Sequence, residues 1–164
     1  MTISIEQAVT RLAEIDLDLH HELYMTLKRA AVAIEREAKR EIGHYQPARG
    51  PFISWAPLRP RTVREKTHLG YSPPDNPLKR TGTLRASIDH EVMTVAPGMP
   101  MEAEIGANGV VAVAQSVGAP SRNLPARDFL GHAAVRLQVP IIEEVGNVAM
   151  MVFGRRGGAS TRFL

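Results

Sequence analysis

The 164-residue sequence has no cysteine, and only 5% of its residues are aromatic. The lack of cysteine excludes disulfides, thiolate zinc sites, iron–sulfur clusters and a cysteine nucleophile. No run approaches the ~18 consecutive apolar residues of a membrane-spanning helix, and the first residues lack the charged and apolar regions of a signal peptide. We therefore expect a protein made in a cytosol, without a membrane partner.

The charge is nearly balanced, with 20 Lys and Arg against 17 Asp and Glu and a net charge of +3. The excess of bases lies in the middle of the chain, where residues 45–91 hold 8 bases and 4 acids. This distribution permits nucleic-acid binding without indicating it. Because no aromatic residues interleave with the bases, a solvated or protein-facing basic patch is the favoured interpretation.

The beginning of the chain has helical periodicity, because apolar residues recur every three or four positions through the first 44 residues. The pattern predicts a long amphipathic helix over 4–43, capped by Thr2 or Ser4 and ended near Gly43. The weak helix formers of Asp16-Leu17-Asp18 could break it into two helices.

The composition changes in residues 44–81, where seven prolines predict a long Pro-rich loop. We expect one helical turn at 62–66, with Thr62 as its cap, and packing of the first half of the loop through Trp55. A second short helical turn is expected at 84–87.

Alternating apolar and polar residues predict an antiparallel β-meander over 87–118. Its three expected strands cover 88–95, 101–105 and 110–117, with Pro97-Gly98 and Asn108-Gly109 as turns. A final helix is predicted over 127–152, kinked or split by Pro140. Together these elements predict one α+β domain, 1–153, with the two long helices packed on a small sheet of three to four strands, followed by a basic Gly/Arg tail at 154–164.

Catalytic patterns are not found in the sequence. The six histidines lack the spacing of zinc ligands, and there is neither a nucleophile elbow nor a phosphate-binding glycine loop. We therefore predict that the protein is not an enzyme and has no catalytic residues, no metal site and no cofactor.

Three segments occur in an order that is typical of one family. They are Trp55-Ala56-Pro57-Leu58-Arg59-Pro60-Arg61-Thr62-Val63-Arg64-Glu65-Lys66, Leu78-Lys79-Arg80-Thr81-Gly82-Thr83-Leu84-Arg85-Ala86-Ser87-Ile88 and Leu124-Pro125-Ala126-Arg127-Asp128-Phe129-Leu130-Gly131. After a long N-terminal helix, this arrangement resembles the tail-completion or virion-morphogenesis proteins of tailed bacteriophages. These are neck components that join tail to head.

The resemblance implies a structural α+β subunit that forms a homo-oligomeric ring, commonly a hexamer, around the DNA channel. Its implied partners are a neighbouring neck or adaptor ring, the tail tube or terminator proteins, and DNA held through non-specific contacts. The implied location is the virion neck or tail, after assembly in the cytoplasm of the host bacterium. The alternatives are a tail terminator that caps the tail tube and, from another class, a small basic nucleic-acid-binding protein.

We select candidate assembly residues from the motifs and the basic positions. Trp55 is expected to anchor the long loop on its own protomer or on a neighbour, and Phe129 to anchor the first turn of the last helix. Thr81-Gly82 is expected to form a tight turn that requires glycine. The complete set of candidates is Trp55, Leu58, Arg59, Arg61, Arg64, Lys66, Arg80, Arg85, Arg127, Phe129, Arg155, Arg156 and Arg162.

Overall fold

The computed structural model describes residues 4–93 and 101–156 and has helical and β elements in one chain. It confirms the α+β class, but the sheet in the described residues has two strands instead of three or four. The elements are α1 (Ile5–Glu41), α2 (Pro60–His68), α3 (Thr83–Ala86), β1 (Ile88–Met93), β2 (Glu102–Ala107), α4 (Val110–Val117), a 3-10 turn (Pro120–Arg122) and α5 (Phe129–Arg156).

Helix α1 is uninterrupted over 37 residues, so the Asp16-Leu17-Asp18 segment does not break it. Ser4 is its cap: the Ser4 hydroxyl accepts from the Gln7 backbone, and the Gln7 side chain accepts from the Ser4 backbone, each at 3.2 Å. Gly43, at φ +99°, turns the chain just beyond the helix, and its N–H donates to the Pro77 carbonyl at 2.8 Å.

The expected third strand is wrong, because Val110–Val117 forms helix α4. Asn108-Gly109 does not make a hairpin turn; Gly109, at φ +108°, precedes the helix, and its carbonyl accepts from Val113 N at 3.4 Å. The helix buries Ala112 in the core. Strand propensity of valine depends strongly on context and does not outweigh this packing. Residues 94–95 of the expected first strand and the Pro97-Gly98 turn lie outside the described residues.

The two strands pair antiparallel, with Ile88 opposite Ala107 and Met93 opposite Glu102. Alternate side chains, including Ile88, His90 and Ile105, lie on the more buried face, which packs against α1. The outer face carries the four carboxylates of Asp89, Glu91, Glu102 and Glu104.

Helix α5 continues through Pro140 and ends at Arg156, so Pro140 does not split it, and the alternative expectation of a kink stays a prediction. Pro140 and Arg136 are both exposed, so the Arg136 carbonyl, which the proline leaves without its helical donor, lies on the solvent side of the helix. The first residues of the expected basic tail, 154–156, belong to this helix, where bases favour the negative end of the helix dipole. Tail residues 157–164 lie outside the described residues.

Helices α1 and α5 run antiparallel. Arg136 pairs with Glu37 at 2.8 Å and Glu144 with Arg29 at 2.7 Å, so later residues of α5 lie beside earlier residues of α1. The described end of α5 lies beside Asp18 to Glu22, where Val152 and Arg155 face α1. Residues 5–17 of α1 therefore project beyond the described end of α5, and none of them is buried. We call these residues the projecting arm.

The core lies at the other end of α1, between α1, the sheet, α4 and the first turns of α5. Its buried members are Ala38, Ile42, Trp55, Ile88, Ala112, Phe129 and Ala133.

Among the described residues, α5 is also long and apolar enough over Phe129–Arg155 to cross a membrane, by length and composition only. Glu143 and Glu144 lie near the middle of this segment, and Glu144 pairs with Arg29. A charged residue at the centre of a spanning helix costs about 2.5–3.5 kcal/mol. Only 11% of the window is buried, so the same composition suits a helix face covered by another chain. The absence of a membrane partner stays a prediction.

Candidate functional site: a groove bordered by three distant segments

The Pro-rich loop is fixed by hydrogen bonds around Tyr45. Its hydroxyl donates to Asp75 Oδ1 at 2.7 Å and accepts from the Leu58 backbone at 2.9 Å. Burial, followed by the hydrogen bond to Asp75, raises the pKa of Tyr45. One phenol thus joins the beginning, middle and end of a loop that contains no sheet and one helix longer than a turn.

Trp55 anchors this loop on its own protomer, where it is 5% exposed. Its ring lies edge-on to the His132 ring, with the two ring centres 5.9 Å apart. The His132 ring also contacts the Phe52 ring, with the ring centres 5.3 Å apart. The His132 Nε2 atom is 3.2 Å from the Ile53 carbonyl. A Cβ on Gly131 would come within 2.3 Å of Phe52, so the glycine leaves the space that this ring occupies.

Arg127 joins three elements from a buried position, although it was expected to serve an interface. Its guanidinium donates to the Ala56 carbonyl at 2.8 Å, and its backbone N–H donates to the Gln115 carbonyl of α4 at 2.8 Å. Burial lowers its pKa. Directly after it, Asp128 Oδ1 accepts from Gly131 N at 2.9 Å at the start of α5, and Phe129 enters the core as expected.

Lys66 is also buried, and its ammonium donates to the Asn76 carbonyl at 2.6 Å. Burial lowers its pKa. Lys66 therefore ties α2 to the last part of the loop instead of facing a partner. The expected turn at 62–66 is a full helix that begins at Pro60; the cap position is Arg59, without a side-chain bond, so Thr62 is not the cap.

The three segments that carry the family resemblance surround one open groove of about 1510 Å³. Helix α2, the turn before α3, helix α4 and the segment before α5 form its walls. The turn before α3 depends on Gly82 at φ +90°, as expected for Thr81-Gly82. Apolar lining side chains are Leu58, Leu78, Leu84, Val110, Val111, Ala112, Val117 and Leu124.

The groove is rimmed by positive charge. Its exposed bases are Arg59, Arg61, Lys79, Arg80 and Arg122. In the part of the chain that the structure describes, Glu65 is the only carboxylate that lines the groove, and it accepts a hydrogen bond from Arg80 at 3.2 Å. The Arg80 guanidinium also lies 5.7 Å from the centre of the Tyr71 ring. The apolar lining and the basic rim together give the groove the chemistry of a surface that binds apolar and acidic groups.

The structure brings six of the thirteen candidate residues together and separates the others. The groove residues are Leu58, Arg59, Arg61, Lys66, Arg80 and Arg127. Trp55 and Phe129 lie beneath it in the core, while Arg64, Arg85 and Arg155 are exposed elsewhere. Arg156 ends α5, its side chain lies outside the description, and Arg162 is outside the described residues.

Sequence reasoning missed Tyr45, His132 and the valines of α4. The hydrogen-bond partners of Tyr45 and His132 are a backbone amide, a carboxylate and a carbonyl that lie 13 to 79 residues away along the chain, so no local spacing marks these two residues. The valines could have been found through the two apolar faces of the 110–117 run, which does not alternate strictly.

A group of ligand-type side chains links α1 to the sheet. The ligand atoms of Glu35, Asp89 and His90 lie within 4.8 Å of one another. Glu35 already accepts from Lys39 with one oxygen and contacts His90 Nδ1 with the other. The hydrogen bond from Lys39 lowers the pKa of Glu35. With both oxygens engaged, this group serves as a polar link between α1 and β1.

A second acidic group lies on the α5 side of α1. Glu41 is 2% exposed, and burial, with a smaller contribution from the Glu37 carboxylate, raises its pKa to about 7. Glu37 is paired with Arg40 and Arg136, each at 2.8 Å.

Comparisons with protein-family models, with curated proteins and with solved structures give no match for this chain. Function is therefore inferred from the groove and from the exposed apolar surfaces.

Proposed function

We propose that the protein is a structural virion subunit of a tailed phage, a neck or tail-completion subunit that forms a homo-oligomeric ring, commonly a hexamer, around the DNA channel. The observation that carries the proposal is the convergence of the three resembling segments around one groove. They are separated in sequence by more than ten residues in each case and have no catalytic pattern in common. Convergence of this kind is what a docking surface requires.

The apolar surface of the single chain supports an assembling protein. Large apolar side chains are exposed on three helices, and monomeric proteins seldom expose contiguous apolar patches beyond a few hundred Å². The most exposed are Ile5, Val9, Leu12 and Leu17 on α1, Val110, Val111, Val113 and Val117 on α4, and Val139, Ile142, Met150 and Phe153 on α5. In a ring, neighbouring copies and the adjoining neck or tail proteins would cover these faces.

The test is the mass of the purified protein by light scattering on a sizing column, followed by negative-stain imaging. The proposal predicts rings or ring fragments that grow with protein concentration. A strict monomer at every concentration, also in the presence of head and tail components, would contradict it. Binding to tail tube but not to the head-side neck ring would assign the protein to tail termination instead.

The basic rim favours a second candidate, a small nucleic-acid-binding protein. In that case, DNA affinity would fall steeply with salt, because phosphate contacts release counterions. The triple change Arg59→Ala, Arg61→Ala and Arg64→Ala would then abolish binding. Under the proposed structural function, duplex DNA binds weakly. The triple change then alters the oligomer mass only through Arg59 and Arg61, the two of these arginines that line the groove.

A further inference from the structure

We infer that the groove of one copy receives the projecting arm of the next copy, so that the ring is closed by head-to-tail contacts of one kind. This inference rests on the proposed function and names its interface. It joins two surfaces of the same chain that the fold leaves uncovered in the described residues: the arm of residues 5–17 and the groove between α2 and α4.

The arm carries an apolar seam that continues the buried face of α1. Ile5, Leu12, Leu19 and Thr26 follow one another at seven-residue intervals, which keeps them close to one stripe of the helix. Thr26 on that stripe is 1% exposed beside α5, whereas Leu12 is 66% and Ile5 80% exposed. The apolar seam therefore extends along α1 beyond the part of the helix that the described residues of α5 cover.

The groove suits a polypeptide segment better than a small molecule. Its volume of about 1510 Å³ exceeds the roughly 300–1,000 Å³ typical of ligand pockets. Its apolar lining matches an amphipathic helix laid into a groove, a common mode of peptide recognition.

The charges of the two surfaces are complementary. The acidic residues of the arm on which this fit depends are Glu6 and Asp16, against the single base Arg11. Among the described residues that line the groove, five are exposed bases and one is a carboxylate, Glu65, which is already paired with Arg80. An arm with an apolar seam and acidic flanks therefore fits an apolar floor with basic edges.

The arm cannot reach the groove of its own chain. Lys79 of the groove lies against Gly43, where a Cβ would be 3.4 Å from its Cδ, so the groove adjoins the C-terminal end of α1. The arm is at the opposite end, and the helix rises about 1.5 Å per residue, which separates Leu12 from Gly43 by roughly 45 Å. Contacts between surfaces at opposite ends of one rigid helix are heterologous, and such contacts form a ring when the rotation between successive copies closes.

The test uses the absence of native cysteine. A Leu12→Cys chain and a Val111→Cys chain are mixed and treated with a short bifunctional maleimide. Both positions are exposed, at 66% and 65%. The inference predicts a mixed dimer as the main product, and a ladder of products when both changes are in one chain.

Leu17→Cys is the matched control, because Leu17 is 57% exposed on the same helix but about 140° around it from Leu12. We expect at least about fivefold less mixed product with Val111→Cys from Leu17→Cys than from Leu12→Cys, since only the seam faces the groove. Equal yields would overturn the inference. Cross-linking of Leu12→Cys mainly to itself would also overturn it and indicate helix-to-helix pairing of two arms.

Light scattering on cysteine-free variants gives a second measurement. Leu12→Glu is expected to raise the concentration needed for assembly by about tenfold or more, and Leu17→Glu to leave it within about twofold. Full assembly of Leu12→Glu would refute the arm contact but leave the ring proposal standing. No assembly of the unchanged chain, with no mixed cross-link, would contradict both.

Discussion

The two ends of α1 show how one sequence pattern acquires two roles. Between Thr26 and Ile42, its apolar and small residues are buried against α5 and the sheet. In the projecting arm, the same periodicity continues through Ile5, Val9 and Leu12, but these side chains are 60–80% exposed. The periodicity indicates which face of α1 is apolar, whereas the packing of the rest of the chain determines what covers that face. We expect changes in the packed end to alter folding, and changes in the arm to alter assembly.

The largest expected effect is at Phe129, which is 1% exposed in the core. Phe129→Ala is expected to lower the free energy of unfolding by about 3–5 kcal/mol, because it removes a buried ring and leaves a cavity. Phe153→Ala on the same helix, where the ring is 52% exposed, should change it by less than about 1 kcal/mol. Urea unfolding under conditions that keep the protein monomeric measures both, and equal losses would contradict the division of the molecule.

Arg127 should give the next largest effect. Arg127→Ala removes the donor to the Ala56 carbonyl and is expected to cost about 2–3 kcal/mol of unfolding free energy. Arg64→Ala, an exposed arginine outside the groove lining, should stay within about 0.5 kcal/mol. If Arg127→Ala instead leaves stability intact and reduces assembly, its role is at the interface, as the sequence indicated.

A pH-dependent effect is expected at Glu41, whose pKa is raised to about 7 by burial. The folded state binds the Glu41 proton more tightly than the unfolded state does. The contribution of this proton to the free energy of unfolding is therefore fully present below about pH 4.3 and is lost as the pH rises to 7. Glu41→Gln should therefore add on the order of 2 kcal/mol at pH 8 and little at pH 4. Urea unfolding at pH 4, 6 and 8 checks this, with exposed Glu143→Gln as control. A pH-independent difference would contradict the assigned cause.

The smallest effect is expected at the tip of the arm. Ser4→Ala removes the capping box, which is worth about 0.5–1 kcal/mol to the helix end. Because the arm has no buried residue, the loss should remain local: amide hydrogen exchange quickens over residues 6–10, while the global unfolding midpoint stays within about 0.5 kcal/mol. A global loss would show that the arm is coupled to the packed end.

Much of the fold could be predicted from local patterns. The helical period over 4–43 gave α1 with its Ser4 cap, and alternation predicted both strands within a few residues. The third strand was wrong because Val110–Val117 has both strand propensity and helix length, and only the burial of Ala112 decides between them. Pro140 failed to split α5 because it lies on an exposed side of the helix, which sequence alone does not indicate.

The candidate site was predicted in part. Leu58, Arg59, Arg61 and Arg80 line the groove, whereas Arg64 and Arg85 do not. Lys66 and Arg127 were expected to face partners and are instead buried hydrogen-bond donors. Burial of a charged side chain depends on carbonyls supplied from distant positions, here Asn76 and Ala56. No spacing within a motif reveals such a partner.

The most direct test of the central claim is the oligomer mass of three chains, the unchanged protein, Leu12→Glu and Leu17→Glu, by light scattering across a range of concentrations. We predict that the unchanged chain and Leu17→Glu assemble alike and that Leu12→Glu remains monomeric at concentrations where they form rings. Identical masses for Leu12→Glu and Leu17→Glu at every concentration would contradict the claim that the projecting arm assembles the protein.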